Sequence, residues 1–188
     1  MTLDANAALF LMIGQSAERT VNKIHELAPS ESLLLSPSYD LASLLPIQVR
    51  AATAAAEAYR LFFVFENYLR ELVVDVLSKD ISRPWWDKVP KDVQDEVIKV
   101  EETDEIKSWM ALGSRDRSAL MTFSQLLRVI EHSWKEGFDE LVRDKALYQS
   151  ARHLAHLRNT ICHMTEIPAE EIDRIRQTMR DWLRVISP

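Results

Sequence analysis

The sequence predicts an all-α protein, and three observations carry that expectation. Glycine is scarce, 3 residues in 188, too few for a fold built on tight hairpin turns. Alanine, leucine, glutamate and arginine, which lose little on entering a helix, are abundant. Apolar side chains recur three and four residues apart along most of the chain. A chain of this length buries one good core and is short for two. The expectation is therefore an N-terminal helical extension and linker over residues 1–50 and one helical bundle over 51–188.

The first helix rests on Leu9, Met12, Ile13, Val21, Ile24 and Leu27 and is stopped by the proline of "APSES". A serine-rich linker follows to about Tyr39. From Ile47 to Ser78 runs the longest helix, alanine-rich and then aromatic, with Phe62, Phe65, Leu69, Leu72, Val73 and Val76 on one stripe, the mark of a core element. "SRPWWDKVP" interrupts it with prolines around paired tryptophans. An acidic helix carries Val93, Val97, Val100, Ile106 and Met110 and closes before "GSRDRS". Helix resumes from Ser118 to Trp134, with Phe123, Leu126, Leu127, Ile130 and Trp134 in register. Phe138, Leu141 and Val142 lead into another helix that continues through Leu154 and Leu157 into "LRNTICHM", residues 157–164. Pro168 reads as the first-turn proline of a last helix, Ala169–Val185, with "AEE" at its positive end.

A formal net charge of −6 argues against a protein that coats nucleic acid through bulk charge. The distribution is more informative than the sum. Asp92 to Glu105 holds seven carboxylates and one lysine, whereas Lys145 to Met164 holds no carboxylate but Lys145, Arg152, Arg158 and three histidines. The acidic run reads as a solvated face that could also receive a basic partner. A single cysteine excludes an internal disulfide and a thiolate metal cage. "AALFLMI", Ala7 to Ile13, is too short to span a bilayer, and the acidic "MTLD" before it lacks the basic flank of a signal peptide. No membrane association is expected, and a reduced, cytoplasmic setting fits.

Within "LRNTICHM", an arginine followed a few residues later by a histidine is weak evidence alone, and Arg19 with His25 fits the same loose pattern. Asparagine directly after the arginine makes the match more specific. On an ideal helix residues five apart point about 140° away from each other, so Arg158 and His163 cannot both aim squarely at one pocket, while Asn159 and His163 can share a face. Two readings follow from the octet. One is a basic helix end whose arginine pairs with a carboxylate and whose histidine caps a carbonyl. The other is a catalytic set, in which an arginine neutralises an anion and a histidine, which titrates near neutrality, moves a proton.

The run "RNTICH" resembles the R-N-x-x-x-H signature of the HEPN superfamily. "FENYLRELVVDVLSK" with "RPWWDKVP", and then "RDRSALMTFSQLLRVIEHSWKEGF", are similar to the matching helices of the branch that includes a eukaryotic transcript-surveillance endoribonuclease and its prokaryotic relatives. The resemblance spans about Glu57 to Val185. It implies an HEPN-like helical bundle that forms a homodimer, with two motifs facing across a cleft that cuts RNA without metal or other cofactor, the 2′-hydroxyl attacking the adjacent phosphate. By position, Arg158 would neutralise the phosphate, His163 would shuttle the proton, and Asn159 would hold the histidine or the ribose. Glu66 matches an acidic position of this branch and Arg70 lies one turn on, either as supporting groups or as a plain i,i+4 ion pair. Arg152 and His156 are the further supporting or RNA-binding candidates. The family also contains non-catalytic scaffolds that bind RNA or protein, and its nucleases include toxins and anti-phage components, which brings in a protein antitoxin or regulator as a partner.

Cys162 departs from the family pattern, standing where a small residue is common; adjacent helical positions do not face each other, so it is not read as a thiolate nucleophile beside His163, and core packing is expected over reactivity. His153, His156 and His163 lack the paired carboxylate or cysteines of a zinc site, so no metal is expected. Trp85 and Trp86, flanked by prolines, read as a packed corner rather than a base-stacking pair.

Overall fold

The computed structural model describes residues 2–27, 32–107, 109 and 116–186. Most of "APSES", Met110, the first half of "GSRDRS" and the side chains of Val21, Ile24 and Leu27 lie outside the described residues. Two compact units divide the chain, Met1–Thr53 and Ala54–Pro188. The described residues are overwhelmingly helical, in keeping with an all-α, HEPN-like bundle.

The first unit contains α1 (Thr2–Leu27), a small antiparallel hairpin of β1 (Leu34–Ser36) and β2 (Tyr39–Asp40), α2 (Leu41–Leu44) and the beginning of α3 (Pro46–Ser78). Two expectations change here. Leu9, Met12 and Ile13 are exposed, so the described part of the α1 stripe stays uncovered. The linker contains the hairpin, closed by one carboxylate. Asp40 accepts from the backbone N–H groups of Leu33 (3.0 Å) and Ala42 (2.9 Å) and from the Ser32 hydroxyl (2.9 Å), capping α2 as it does so. The Ala42 and Leu33 amides, in that order, hold its pKa below the ordinary value.

The second unit continues along α3 and adds α4 (Lys91–Ile106), α5 (Phe123–His132), α6 (Phe138–Val142), α7 (Lys145–Cys162) and α8 (Ala169–Ile186), with 3-10 turns at Trp85–Lys88 and Trp134–Glu136. The expected stripe of α3 is buried from Phe62 to Val76 and meets Phe123, Leu126, Leu127 and Ile130 of α5 in one core. Phe65 sits at its centre, its ring 5.7 Å from Phe123 and 5.9 Å, edge-on, from Trp182 of α8. The Trp182 indole N–H donates to the Leu147 carbonyl at 3.1 Å, which removes the cost of burying it. Ala58 of α3, Ile161 of α7, Ile167 from the connection before α8 and Ile172 of α8 form a smaller cluster beneath the end of α7. That cluster fixes where the motif ends.

Local chemistry explains the remaining departures. Helix resumes at Phe123 rather than Ser118, because Thr122 and Gln125 form a reciprocal capping box. The helix expected from Phe138 onwards is two helices: Arg143 adopts φ +51° and Asp144 caps α7 by accepting from Ala146 N–H at 2.7 Å. Gly137 at φ +124° allows the preceding turn, and a Cβ there would lie 3.4 Å from Val76. Pro168 precedes α8, its carbonyl accepting from Glu171 (3.0 Å) and Ile172 (3.3 Å). On α4 only Val93 and Val97 are buried, while Val100 and Ile106 are exposed. Arg128 pairs with Asp92 and Glu96 of that acidic helix. The tryptophan corner is packed as expected, Trp85 edge-on to Trp86 and Arg117 over the Trp86 ring at 5.1 Å. Beside it the buried Lys88 ammonium donates to the carbonyls of Leu77 (2.7 Å) and Asp80 (2.8 Å), closing the end of α3.

Candidate active site

The last turn of α7 is built by backbone geometry. His163 is the C-cap, Met164 N–H donates to Ile161 O at 3.0 Å, and Thr165 N–H donates to Thr160 O at 3.2 Å. With Met164 at φ +57°, this is the paired-bond termination usually built on glycine. A methionine in that conformation costs about 1 kcal/mol. Ile161, buried against Ala58 and Ile172, keeps the turn in place and leaves the flanking residues to point elsewhere.

Arg158 turns towards α3. Its Nε donates to Glu66 Oε2 at 3.2 Å, with the arginine side chain 26 % and the glutamate 14 % exposed. The two terminal nitrogens of Arg158 make no hydrogen bond to a described residue. Arg70 differs in that its whole guanidinium is engaged: Nε to Ser118 O (2.7 Å), Nη1 to Asn67 Oδ1, and Nη2 to Glu66 Oε1 and Met121 O (both 3.3 Å). Arg70 thus fastens the segment before α5 to α3 and holds the second oxygen of Glu66. Two guanidiniums against one carboxylate leave the site with a net positive charge.

These groups line an open cavity of about 320 Å³ whose walls also include Tyr59, Phe63, Asn67, Ile161 and Cys162. A second chamber adjoins it across Asn67 and Arg70, lined by Glu71, Asp75, Asp116 and Ser118. The groove is therefore cationic at the Arg158 end and acidic beyond Arg70. A ligand with an anionic group is drawn to the first end and repelled from the second.

Residues 60–187 of the chain match Swt1-like HEPN, and this span is well over half of the sequence. The chain belongs to the Swt1-like HEPN family. No curated protein and no solved structure matches it. The R-N-x-x-x-H run, Glu66 and Arg70 all lie inside the HEPN span, and residues 1–59 lie outside it. No described helix is long and apolar enough to cross a membrane.

The structure brings some expected HEPN residues together and separates others. Arg158, Glu66 and Arg70 form one connected network. Asn159 and His163 are exposed, outside the cavity lining, and their side chains make no hydrogen bond to a described residue. His156 is also exposed, on their side of α7. Arg152 faces α5, 3.9 Å from Glu131, away from the cavity. There Glu131 also accepts from the Tyr148 hydroxyl at 3.0 Å, and burial first, then that hydrogen bond, pushes the phenol up to about 12. Cys162 corrects the core-packing expectation: it is exposed and lines the cavity, because Ile161 takes the inward position. Among the described residues no three His, Cys, Asp or Glu side chains converge as metal ligands, His153, His156 and His163 included.

Sequence reasoning missed Tyr59, Phe63 and Asn67. A signal was present for the aromatics, which fall off the buried stripe Ala58, Phe62, Phe65, Leu69 by one position each. For Asn67 no comparable signal exists, since its role is to accept from Arg70 and donate to Phe63 O at 2.7 Å.

Proposed function

We propose that this chain is an endoribonuclease whose active site is completed by a second copy, within a functional domain of residues 51–188. The carrying observation is the state of Arg158: Glu66 orients it through Nε alone, which leaves the terminal nitrogen pair to receive a phosphate in bidentate fashion. His163, on the same helix, stands exposed outside the cavity, so one chain does not present both groups to one bound phosphodiester. A two-fold pair of chains brings two arginines and two histidines to a common cleft.

In that cleft His163 of one copy takes the proton from the 2′-hydroxyl, whose oxygen attacks the adjacent phosphorus. The P–O5′ bond breaks, and the partner's His163 gives a proton to the leaving 5′ oxygen. Charge that builds on the phosphoryl oxygens is met by Arg158. Asn159 holds the ribose or the histidine, and Glu66 and Arg70 position Arg158. The products are a 2′,3′-cyclic phosphate and a 5′-hydroxyl, and the proton balance closes without a metal ion. Such an activity suits a toxin or a defence component restrained by a protein antitoxin or regulator.

The Arg158–Glu66 ion pair also supports a second reading, a non-catalytic HEPN scaffold in which the pair only fixes α7 to α3. One experiment separates them: cleavage of single-stranded RNAs and transfer RNAs in excess EDTA, at concentrations where the dimer is confirmed. The nuclease reading expects cyclic-phosphate ends from the native chain and none from Arg158→Ala or His163→Ala. No cutting by a folded dimer across the panel would favour the scaffold.

A further inference from the structure

Tyr59 and Phe63 stand one turn apart on α3 with 56 % and 59 % of their surface exposed. Their ring centroids are 6.3 Å apart and the planes tilted by 35°. Neither contributes to the core, which takes the neighbouring positions Ala58 and Phe62. Both line the cavity that Arg158 enters from α7. Two uncovered aromatic faces beside an oriented guanidinium with unused donors match the two halves of a nucleotide, a flat π surface and an anion joined through ribose.

We infer that Tyr59 and Phe63 form a stacking platform for one unpaired nucleobase next to the phosphate held by Arg158, and this rests on the ribonuclease reading above. The polar atoms that Asn67 and Glu66 bring to the cavity each already hold a partner within the protein. Asn67 is bonded on both its atoms, to Phe63 O and Arg70, and Glu66 accepts from Arg158 and Arg70. The base is therefore read by its face rather than its edge, and the Tyr59 hydroxyl, donor and acceptor at once, discriminates weakly. Stacking accepts any base and demands that it be unpaired. The substrate class is single-stranded RNA with little preference for the base at the platform. Glu71 and Asp75 beyond Arg70 repel the backbone, so the strand lies across the Tyr59 end of the groove.

The test uses the full-length dimer and a labelled single-stranded RNA, 2′-O-methylated throughout so that it cannot be cut. The same strand is also prepared with an abasic nucleotide scanned position by position. The native chain should bind one of the abasic strands about tenfold more weakly than the intact strand. Tyr59→Ala and Phe63→Ala should each lose a similar factor on the intact strand and become indifferent to that abasic site. Tyr59→Phe and Phe63→Tyr should bind like the native chain. Alanine variants that bind as tightly as native, or that keep the full abasic penalty, would overturn the platform alone. Dissociation of the dimer in both alanine variants would overturn it in favour of a contact between copies. Failure of the native chain to bind or cut any strand would remove the ribonuclease reading as well.

Discussion

Arg158 and His163 lie five residues apart on one helix and in opposite circumstances. Arg158 is half-buried and aimed by Glu66, which Arg70 holds in turn. His163 caps the helix with its backbone while its side chain stands in solvent. The first is an anchored charge and the second an exposed, unanchored imidazole. On the nuclease reading, the difference means that a single chain holds half a site: a guanidinium oriented for a phosphate, with no proton donor or acceptor held against it.

The sharpest way to break the comparison is to remove each end. His163→Ala should lower cleavage by about 10²–10⁴-fold, the range of one general acid–base group, with stability unchanged to within about 0.5 kcal/mol because the side chain is exposed and makes no hydrogen bond to a described residue. Arg158→Ala should lower cleavage by about 10²–10³-fold and also cost about 1 kcal/mol in chemical denaturation, since Glu66 loses a partner. Equal stability losses in the two variants would dissolve the contrast.

Glu66→Gln sharpens it further. Loss of the charge frees the arginine from its guide without removing it, and cleavage should fall about tenfold, the size of one charge-assisted hydrogen bond. The fall should appear in kcat rather than KM, because the group acts through orientation. A variant as active as the native chain would make the Arg158–Glu66 pair a packing contact.

The smallest expected effect lies at the His163 end. Met164→Gly relieves the left-handed backbone and should stabilise the protein by about 0.5–1 kcal/mol, partly offset by unfolded-state entropy. Thermal denaturation would register that as a rise of about 2 °C or more. No rise would mean that the turn at 163–165 bears no strain.

Much of the fold was legible because periodicity reports burial. The α3 stripe and the α5 set are core residues for the reason their spacing suggests. Breaks made without glycine or proline were not legible: Arg143 turns the chain between α6 and α7 with an ordinary side chain in an unusual conformation. The 34–40 hairpin was hidden among serines because its stability comes from one carboxylate, Asp40, bonding across it. At the site, the geometric conflict between Arg158 and His163 could be seen from helix angles alone. The Glu66 contact could not, since its partners are 92 residues apart, and only the family resemblance singled out both. Cys162 was misjudged because which flank of Ile161 faces the cavity depends on how α7 packs against α3, a tertiary fact with no local sign.

The most direct test of the composite cleft is subunit poisoning. Native chain at fixed concentration is mixed with a ninefold excess of His163→Ala, subunits are allowed to exchange, and cleavage is measured per native chain. If both copies supply a histidine to one site, random pairing leaves about a tenth of native chains with a native partner, and activity per native chain should fall to about a tenth. Activity per native chain that is unmoved by the excess, with exchange confirmed, would mean that one chain suffices and would contradict the account.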